Sequence, residues 1–333
     1  MILIDGSYGE GGGQIIRTAI AMSAIEQVPI KITNIRANRS NPGLQAQHIT
    51  GLKAAAELCD AKITGAKLGS TELTFEPNKI RFGKFKFDVG TAGAITLVLQ
   101  TIIPIAAFAP SKTKFEIIGG TNVSWSPTIE YFQNIFCDYA EKFNLLIDVN
   151  IEKYGFYPTG NGLVNVGVLP IKNSKSITLA GRGKLLGVKV FSLASEDLKQ
   201  ANVAERQISG FKSKINSDFS VKTFPNYAKT LSTGASIYAH TLFENCKLGG
   251  SALGEKGKPA EKVGEECAIN LMKEINSKAT VDKHLADQLI PFLGLFGGEF
   301  VTSEITEHTK TNVWVVEKFL DKKFKVDRNK ISV

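Results

Sequence analysis

A short apolar strand, a glycine-rich turn and a helix recur along this chain, and this recurrence limits the fold more than any other feature. The first copy has an apolar strand at 1–4, five glycines within 6–13, and then a helix. The second has a strand at 84–89, a glycine turn at 90–93 and an apolar helix at 94–108, so the two turns are about 80 residues apart. Each copy continues with a strand, a helix and two strands. The repeated unit is therefore predicted to be β-α-β-α-β-β.

A third turn and helix of this kind appears only at 281–291, where Gln288 and Pro291 repeat the pattern of Gln100 and Pro104. The extra spacing predicts an insertion of about 100 residues in the third copy, and the serine- and lysine-rich segment 182–278 fits it. We therefore expect an α/β (α+β) protein with a pseudo-threefold repeat and a smaller inserted α/β domain. The large domain is predicted at 1–181 plus 279–333, and the inserted domain at 182–278.

The first glycine turn has the composition of an anion site. Glycines reach positive φ and leave backbone N–H groups accessible, and the following helix N-terminus adds unpaired donors and partial positive charge. Arg17 lies in the first helical turn, where side chains lean back toward the N-terminus, and Glu10 supplies one acid for a metal or a proton. A tight turn before a packed helix is the alternative. The glycine spacing fits neither the dinucleotide-binding fingerprint nor a P-loop.

A second set of candidate residues follows the next strand. Arg36 and Arg39 lie in a loop with clear turn chemistry, and a helix is predicted at 44–59. Extending the buried stripe of that helix backward puts His48 and Gln45 where core residues are expected. His48 is thus predicted to point inward near the arginine loop, either toward a phosphate or as a core histidine with its hydrogen bonds satisfied.

Composition narrows the class of protein. The 333 residues are 43% hydrophobic and 22% charged, typical of a globular chain with a sizeable core. A net charge of +8 and a pI of about 9.1 favour a polyanionic partner such as RNA. Four scattered cysteines without a Cys-x-x-Cys pair favour reduced thiols in a cytoplasmic protein.

No membrane partner is expected. The glycines interrupt the apolar start at once, so no signal peptide is predicted. A membrane-spanning helix needs roughly 18 or more apolar residues, and the longest apolar stretch, 95–109, is broken by Gln100, Thr101 and Pro104. The oligomeric state is not predicted.

Ordered blocks along the whole chain resemble the RNA 3′-terminal phosphate cyclases. The blocks are Asp5-Gly6 with Gly9 to Gln14 and Arg17, Ile35-Arg36 with Arg39, Pro42 to Leu44 with Gln47-His48, Leu97 to Gln100, Gly119 to Thr121, Gly155 to Pro158, Leu285 to Gln288, and His308 with Thr311-Asn312. One block departs from the family's usual signature, which has Arg or His before the glycine and three consecutive glycines after the proline. Here those positions read Tyr154 and Gly160-Asn161-Gly162. Because Asn tolerates the left-handed conformation, the turn is expected to survive.

The resemblance implies ATP-dependent conversion of an RNA 3′-terminal phosphate to a 2′,3′-cyclic phosphodiester in three steps. A histidine attacks the α-phosphorus of ATP and releases pyrophosphate, and the AMP then passes to the terminal phosphate. The neighbouring 2′-OH finally attacks that phosphate and expels AMP. Adenylylation supplies the leaving group that a phosphate monoester lacks. The implied partners are RNA with a 3′-phosphate end, ATP and a divalent metal (Mg or Mn).

Site residues also follow from the resemblance. His308 is the implied nucleophile, which the residues alone do not distinguish from His48, His240 and His284. Arg17 and Glu10 are the other implied catalytic residues, with Glu10 also a metal ligand. Nucleotide binding is assigned to Gln100, Pro127, Tyr131, His284, Leu285, Ala286, Asp287 and Gln288, with Pro127 and Tyr131 flanking the adenine. Binding of the RNA phosphate is assigned to Arg36, Arg39, Gln47 and His48.

Three alternatives stay open. A relative with the same fold can act as a non-catalytic ribosome-biogenesis factor, but such relatives are expected to lack His308. An enolpyruvyl transferase has similar repeated units, but this chain is short for that family and carries an unexpected insertion. A plain RNA-binding protein fits the charge but not the ordered site blocks.

Overall fold

The computed structural model describes residues 1–333. Its first repeat is built around a helix whose N-terminus follows the glycine loop. The elements are β1 (Ile2–Asp5), α1 (Gly13–Glu26), β2 (Ile30–Thr33), α2 (Ala46–Cys59), β3 (Lys62–Thr64) and β4 (Leu73–Glu76). Ten consecutive or near-consecutive positions of α1 are buried, because its apolar residues face packed helices on more than one side.

The second repeat has the same order of elements, with a helix interrupted by a π-helical segment. The elements are β5 (Gly83–Asp88), α3 (Ile95–Ala106), β6 (Thr113–Gly119), α4 (Ile129–Tyr131), the π-helical segment Phe132–Phe136, α5 (Cys137–Lys142), β7 (Ile147–Lys153) and β8 (Gly162–Val168). Pro104 lies inside α3, near its end.

The third repeat begins with a short strand and is then interrupted by a second sheet. The strand is β9 (Ile177–Leu179), and the inserted elements are β10 (Leu185–Ser195), a 3₁₀ segment at Glu196–Ala201, α6 (Val203–Lys212), β11 (Val221–Ala228), β12 (Ala235–Phe243), β13 (Gly249–Leu253) and α7 (Ala260–Asn276). The repeat resumes with α8 (Lys283–Phe296), β14 (Gly298–Val301), α9 (Glu307–Val316), β15 (Lys325–Asp327) and β16 (Lys330–Ser332).

Three sheets share one strand order, which confirms the predicted α/β class and its repeated unit. The orders are β1-β2-β4-β3, β5-β6-β8-β7 and β9-β14-β16-β15. In each sheet the first strand is parallel to the second, the second antiparallel to the fourth, and the fourth antiparallel to the third. The sequence analysis did not find β9, β15 or β16, which are three residues long.

Two separate hydrophobic cores lie in the chain. A cluster of 60 buried residues spans the three repeats, and a cluster of 12 lies between the inserted sheet and its helices α6 and α7. The limits of the inserted domain, 182 and 278, stay a prediction. No helix of the structure is long and apolar enough to span a membrane.

The first helices of the repeats meet in the centre of the large core. Helix α1 packs against α3 and α9, and α8 packs against α9 and, more lightly, α3. The glycine loop before α1 and the starts of α8 and α9 therefore face one region, where the site residues lie.

Candidate active site

The glycine loop of the first repeat is fastened to helix α9 of the third. The rings of Tyr8 and Trp314 stack with their centroids 4.0 Å apart and their planes 6° from parallel. Gly9 has φ +58°, and a Cβ there would lie 2.7 Å from Thr311 Oγ1, so only glycine fits this contact without strain. These two contacts place Glu10 beside the first turn of α9.

His308 lies in that first turn and faces Glu10. Its Nε2 is 3.3 Å from Glu10 Oε2, and the same oxygen is 2.9 Å from Arg39 Nη2. The imidazole side chain is 47% exposed, so a ligand can reach it. Two residues separated by almost the whole chain are thus brought together.

The surroundings of His308 favour the neutral imidazole. Desolvation lowers the pKa of His308, and the cations Arg17 and Arg39 lower it further, while Glu10 opposes them. A neutral imidazole carries a nitrogen lone pair near pH 7. The arrangement can therefore supply a nucleophilic nitrogen surrounded by groups that bind negative charge.

The N-terminus of α1 is open only in the sense that no side chain caps it, since Gly12 and Gln14 are buried. Its N-cap residue, Gly12, offers no side-chain cap, and no acidic residue lies in the first turn. By contrast, Asp282 caps α8 and Thr306 caps α9 through their side-chain oxygens. Uncapped N–H groups at a helix N-terminus bind anions, so this end of α1 is suited to a phosphate group.

Arg17 and Asp287 carry opposite charges and lie close enough beside this N-terminus to affect each other's pKa. Burial lowers the pKa of Arg17 to about 10, and Asp287 opposes that change. Burial raises the pKa of Asp287 to about 7, and Arg17 opposes that change. Each charge thus stabilises the other in a poorly solvated position.

A small polar cavity lies where the three repeats meet. Its volume is about 20 Å³, and it is lined by Gln14, Arg17, Thr18, Gln100, Pro104, Phe136, Asp287, Gln288, Pro291, Phe292 and Asn312. That volume holds about one water molecule and is far below the roughly 300 Å³ of a typical ligand pocket. Gln14 Nε2 and Gln288 Oε1 are buried there without a hydrogen-bond partner. Gln100, Asp287 and Gln288 thus lie together, but at a closed polar centre.

The remaining predicted nucleotide-binding residues differ in accessibility. His284 is exposed, and desolvation by the surrounding protein lowers its pKa. Pro127 is half-buried, and its carbonyl accepts a hydrogen bond from Thr96 Oγ1. Leu285 and Ala286 are fully buried in the large core, so their side chains contribute packing in this conformation.

Tyr131 lies inside the protein instead of at an open surface. It is 3% exposed, and its hydroxyl donates a 2.6 Å hydrogen bond to Asp282 Oδ1. Asp282 Oδ2 accepts a hydrogen bond from the N–H of Gly249, in the inserted sheet. Stacking of Tyr131 on adenine stays a prediction, and in this conformation its ring packs on protein.

His48 packs against the glycine turn, close to Arg36 of the arginine loop. His48 points inward as predicted, is 5% exposed, and accepts a hydrogen bond from the N–H of Gln45 through Nδ1. A Cβ at Gly13 would lie 2.3 Å from His48 Nε2, so the histidine packs directly under the glycine turn. Desolvation, together with the nearby charges of Arg17 and Arg36, lowers the pKa of His48 to about 3. His48 is therefore a neutral support of the turn.

Arg36 and Gln47 bind backbone groups near the site. Arg36 Nη1 donates to the carbonyls of Asn41 and Gly43, at 2.5 and 2.9 Å, and so closes its own loop. Gln47 Oε1 accepts a long hydrogen bond of 3.4 Å from the N–H of Ala94, in the glycine turn of the second repeat. Of the four predicted phosphate-binding residues, only Arg39 lies against Glu10 and His308.

No group of three or more His, Cys, Asp or Glu side chains in the structure has the arrangement of a metal site. Glu10 is a single carboxylate. A Mg²⁺ ion typically takes one or two carboxylates and completes its shell with substrate phosphates and water. Glu10 therefore fits only a divalent ion whose other ligands are the oxygens of a bound triphosphate and water.

Three further residues of this region were not among the predicted site residues. Asp282 orders the start of α8, and its position before a periodic helix is the signal that marks an N-cap. Asn312, noted only as part of a block, accepts from Thr18 Oγ1 and donates to the carbonyl of Asp287. Trp125, on the loop beside Pro127, is 98% exposed and has φ +65°.

The departing block keeps its turn. Asn161 has φ +61°, which confirms that the left-handed conformation survives without glycine. Tyr154 lies against the buried Glu130, whose own carboxylate accepts from Asn122 Nδ2 at 2.8 Å. Where the family usually has a basic group, this chain thus has a phenol beside a buried acid.

Comparison with known proteins identifies the family of the chain. The family model described as RNA 3′-terminal phosphate cyclase matches residues 8–326. The chain is 44% identical to the RNA 3′-terminal phosphate cyclase of Pyrococcus abyssi over 328 residues, covering 98% of this chain and 95% of that protein. It is also 44% identical to the Methanococcoides burtonii protein of the same name over 342 residues, covering 100% of both. The chain therefore belongs to the RNA 3′-terminal phosphate cyclase family.

Proposed function

We propose that the protein uses ATP to convert an RNA 3′-terminal phosphate into a 2′,3′-cyclic phosphodiester through a covalent AMP adduct on His308. The observation that supports this most directly is the 3.3 Å approach of His308 Nε2 to Glu10, beside the open N-terminus of α1. A nucleophile, a phosphate-binding helix end and two arginines then lie in one region.

In the first step the lone pair of neutral His308 attacks the α-phosphorus of ATP. The new N–P bond forms as the bond to the bridging oxygen of pyrophosphate breaks, and pyrophosphate leaves. Arg17 and the open N–H groups of α1 bind phosphate oxygens and stabilise the charge that develops on them. Glu10 orients the imidazole and supplies the one carboxylate for the divalent ion that accompanies ATP.

In the later steps the RNA end takes the place of pyrophosphate. An oxygen of the 3′-phosphate attacks the phosphorus of the histidine adduct, and the N–P bond breaks to regenerate His308. The 2′-OH then attacks the activated terminal phosphate, loses its proton, and expels AMP. We assign Arg39 to the RNA phosphate, because its guanidinium is partly exposed and is held only by Glu10.

The proposal includes a reducing compartment. All four cysteines are free, and three of them are buried. Unpaired thiols are usual in the cytoplasm, which is the location we propose.

The decisive experiment is incubation with α-labelled ATP and the divalent ion, followed by a cyclisation assay on a 3′-phosphorylated oligoribonucleotide. The wild-type protein should acquire acid-labile, base-stable label and form the cyclic end. His308→Ala should abolish both. Lys310→Ala is the matched control, since Lys310 is exposed on the same helix and pairs only with Glu307.

Label that survives in His308→Ala would remove this residue from the nucleophilic role. A wild-type protein that binds RNA but acquires no label would favour the non-catalytic alternative.

A further inference from the structure

The inserted sheet has one covered face and one partly open face. Alternate residues of β10, Val188 and Val190, lie in the smaller core with residues of α6 and α7. Lys189 and Phe191 therefore lie on the opposite face, together with Lys222 and Phe224 of the neighbouring strand β11. Tyr227 confirms the alternation, because its hydroxyl contacts Glu205 and Ala204 of α6 on the helix side.

Aromatic rings form a continuous row across this open face. Phe224 stacks on Phe191 at 4.8 Å and 15°, and Phe191 lies 5.9 Å from Tyr238 at 23°. Tyr238 is buried, Phe191 is half-buried, and Phe224, on the edge strand, is 43% exposed. The row therefore runs from the interior to solvent and ends in an accessible ring.

A row of basic side chains lies directly beside the aromatic row. Lys222 and Lys189 are cross-strand neighbours, and neither has an acidic partner within ion-pair distance. On the helix side, two cations are paired, Arg206 with Glu261 and Lys258 with Glu266. Residues 182–278 contain 15 lysines and arginines against 10 acidic residues. Lys189 and Lys222 place two unpaired cations of this excess on the open face.

The buried end of the row packs on the large domain. Tyr238 meets Tyr131 edge-to-face at 6.0 Å, and Tyr131 is hydrogen-bonded to Asp282. Asp282 caps the helix that carries His284, and His284 is close enough to affect the pKa of His308. The inserted sheet is therefore joined to the same helix start that borders the candidate active site.

The chemistry of the face fits a single-stranded nucleic acid. Single strands are held by aromatic rings that stack on bases and by cations that follow the phosphates. A peptide strand added to the edge of the sheet fits less well. Pro225 lies within the edge strand β11 and lacks an N–H, and Lys222 and Lys229 lie at the two ends of that strand.

We propose that the open face of the inserted sheet, formed by Lys189, Phe191, Lys222 and Phe224, holds the single-stranded RNA upstream of the reacting 3′ end. This inference rests on the proposed function, since it takes the substrate to be RNA. It assigns the inserted domain a role in substrate affinity and none in the chemical steps.

The test compares substrates of two lengths in Phe224→Ala, Lys222→Ala and the control Arg206→Ala on the helix side. The substrates are a 3′-phosphorylated dinucleotide and a 3′-phosphorylated 12-nucleotide RNA without secondary structure. Phe224→Ala should raise the KM for the longer RNA by about 5- to 100-fold, the range expected for loss of one stacked base. The KM for the dinucleotide, kcat and labelling of His308 by ATP should not change. Arg206→Ala should behave as the wild type.

Lys222→Ala gives an independent measurement. Loss of one phosphate contact should reduce the slope of log affinity against log salt concentration by about 0.7 for a single strand. An equal KM for the longer RNA in Phe224→Ala and wild type would overturn the proposal and leave the face to a protein partner. An equal rise in Arg206→Ala would do the same.

The experiments distinguish failure of the proposed cyclase function from failure of the proposed RNA-holding face. If the wild-type protein neither labels nor cyclises, fluorescence anisotropy with the 12-nucleotide RNA still compares the variants. Weaker binding by Phe224→Ala alone would support the RNA-holding face, and identical binding by all variants would exclude it.

Discussion

Two interfaces between repeats, here called seams, are both formed by packed helices but differ in the polarity of the residues between those helices. Where the first repeat meets the second, α2 packs on α3 through small side chains, and a Cβ at Gly51 would lie 3.1 Å from Thr101 Oγ1. Where the first repeat meets the third, α1 packs on α9 and next to α8, with Arg17, Asp287 and Asn312 between them. The first seam is closely packed and mainly apolar, and the second contains charges.

The difference is visible at the helix N-termini. The N–H of Ala94, which precedes α3, donates to Gln47 across the first seam, so that helix start is already partly occupied by protein. The start of α1 has no side-chain cap, and Arg17 in its first turns is close enough to His308 to affect the pKa of that imidazole. One repeated unit thus provides a structural joint at one seam and the proposed anion-binding site at the other. The fold alone does not decide function, because the same unit appears in both.

The largest effect should come from removing Arg17 from the charged seam. Arg17→Ala should lower turnover with ATP and RNA by about 100- to 1,000-fold, a loss comparable to that of one preorganised group that stabilises transition-state charge. It also leaves Asp287 without its cation. Lys283→Ala is the control, because Lys283 is a half-buried cation at the start of α8 whose only ion-pair partner is Glu304, at 3.7 Å. Steady-state kinetics of both variants measure the difference.

Equal losses in the two variants would mean that the opening loop is not the phosphate site. Arg17→Lys separates charge from geometry, because lysine keeps the charge but lacks the planar fork that binds two phosphate oxygens. It should recover only part of the lost rate.

A smaller effect should appear in the pH dependence of stability. The pKa of Asp287 rises from 3.8 in the unfolded chain to about 7 in the folded protein, so the folded state binds this proton more tightly. The stabilisation from Asp287 is full below pH 3.8 and is lost as pH rises through about 7. Asp287→Asn removes this loss. Its unfolding free energy, measured in urea, should therefore improve relative to wild type between pH 5 and pH 8.

Glu274 is the control for this experiment, because its pKa is raised to a similar value. Burial, together with the nearby charge of Asp282, raises the pKa of Glu274, on α7, to about 7. Glu274→Gln should show the same trend in stability without touching the charged seam, so its labelling by ATP should stay unchanged. An Asp287→Asn variant that keeps the wild-type pH dependence would show that Arg17 holds this carboxylate ionised throughout.

The repeats could be predicted from sequence because their signals are local. Glycine turns followed by apolar helices are legible within about 20 residues, and Gln100 with Pro104 and Gln288 with Pro291 mark equivalent helices. The strands β15 and β9 were missed because each has three residues. So short a segment gives no period, and all three residues of β15 are exposed.

The site could be predicted only in part, since its geometry depends on packing between distant segments. Glu10 and His308 meet because Tyr8 stacks on Trp314, a contact with no local signal. The resemblance named both residues but not their contact. Tyr131 shows a second reason why sequence could not predict the site. Its ring has the chemistry to stack on adenine, but Tyr238 and Gly249 of the inserted domain cover it. Burial by a separate part of the chain cannot be read from the residues around it.

The smallest effect, and the sharpest comparison of the two seams, comes from a matched pair of buried threonines. Thr18 of α1 donates its hydroxyl to Asn312 across the charged seam at 2.9 Å. Thr101 of α3 donates to the carbonyl of Leu97 in its own helix at 3.2 Å. Replacement by valine keeps the shape of each side chain, so it removes only the hydrogen bond.

Thr101→Val should change the unfolding free energy by less than about 1 kcal/mol, because the bond to its own helix adds little. Thr18→Val should cost about 1–3 kcal/mol, since it leaves the buried oxygen of Asn312 unpaired. It should also slow labelling of His308, because Asn312 holds the carbonyl of Asp287 beside Arg17. Urea unfolding and the labelling rate measure both. Equal costs in the two variants would mean that the hydrogen bond between Thr18 and Asn312 does not position the charged seam.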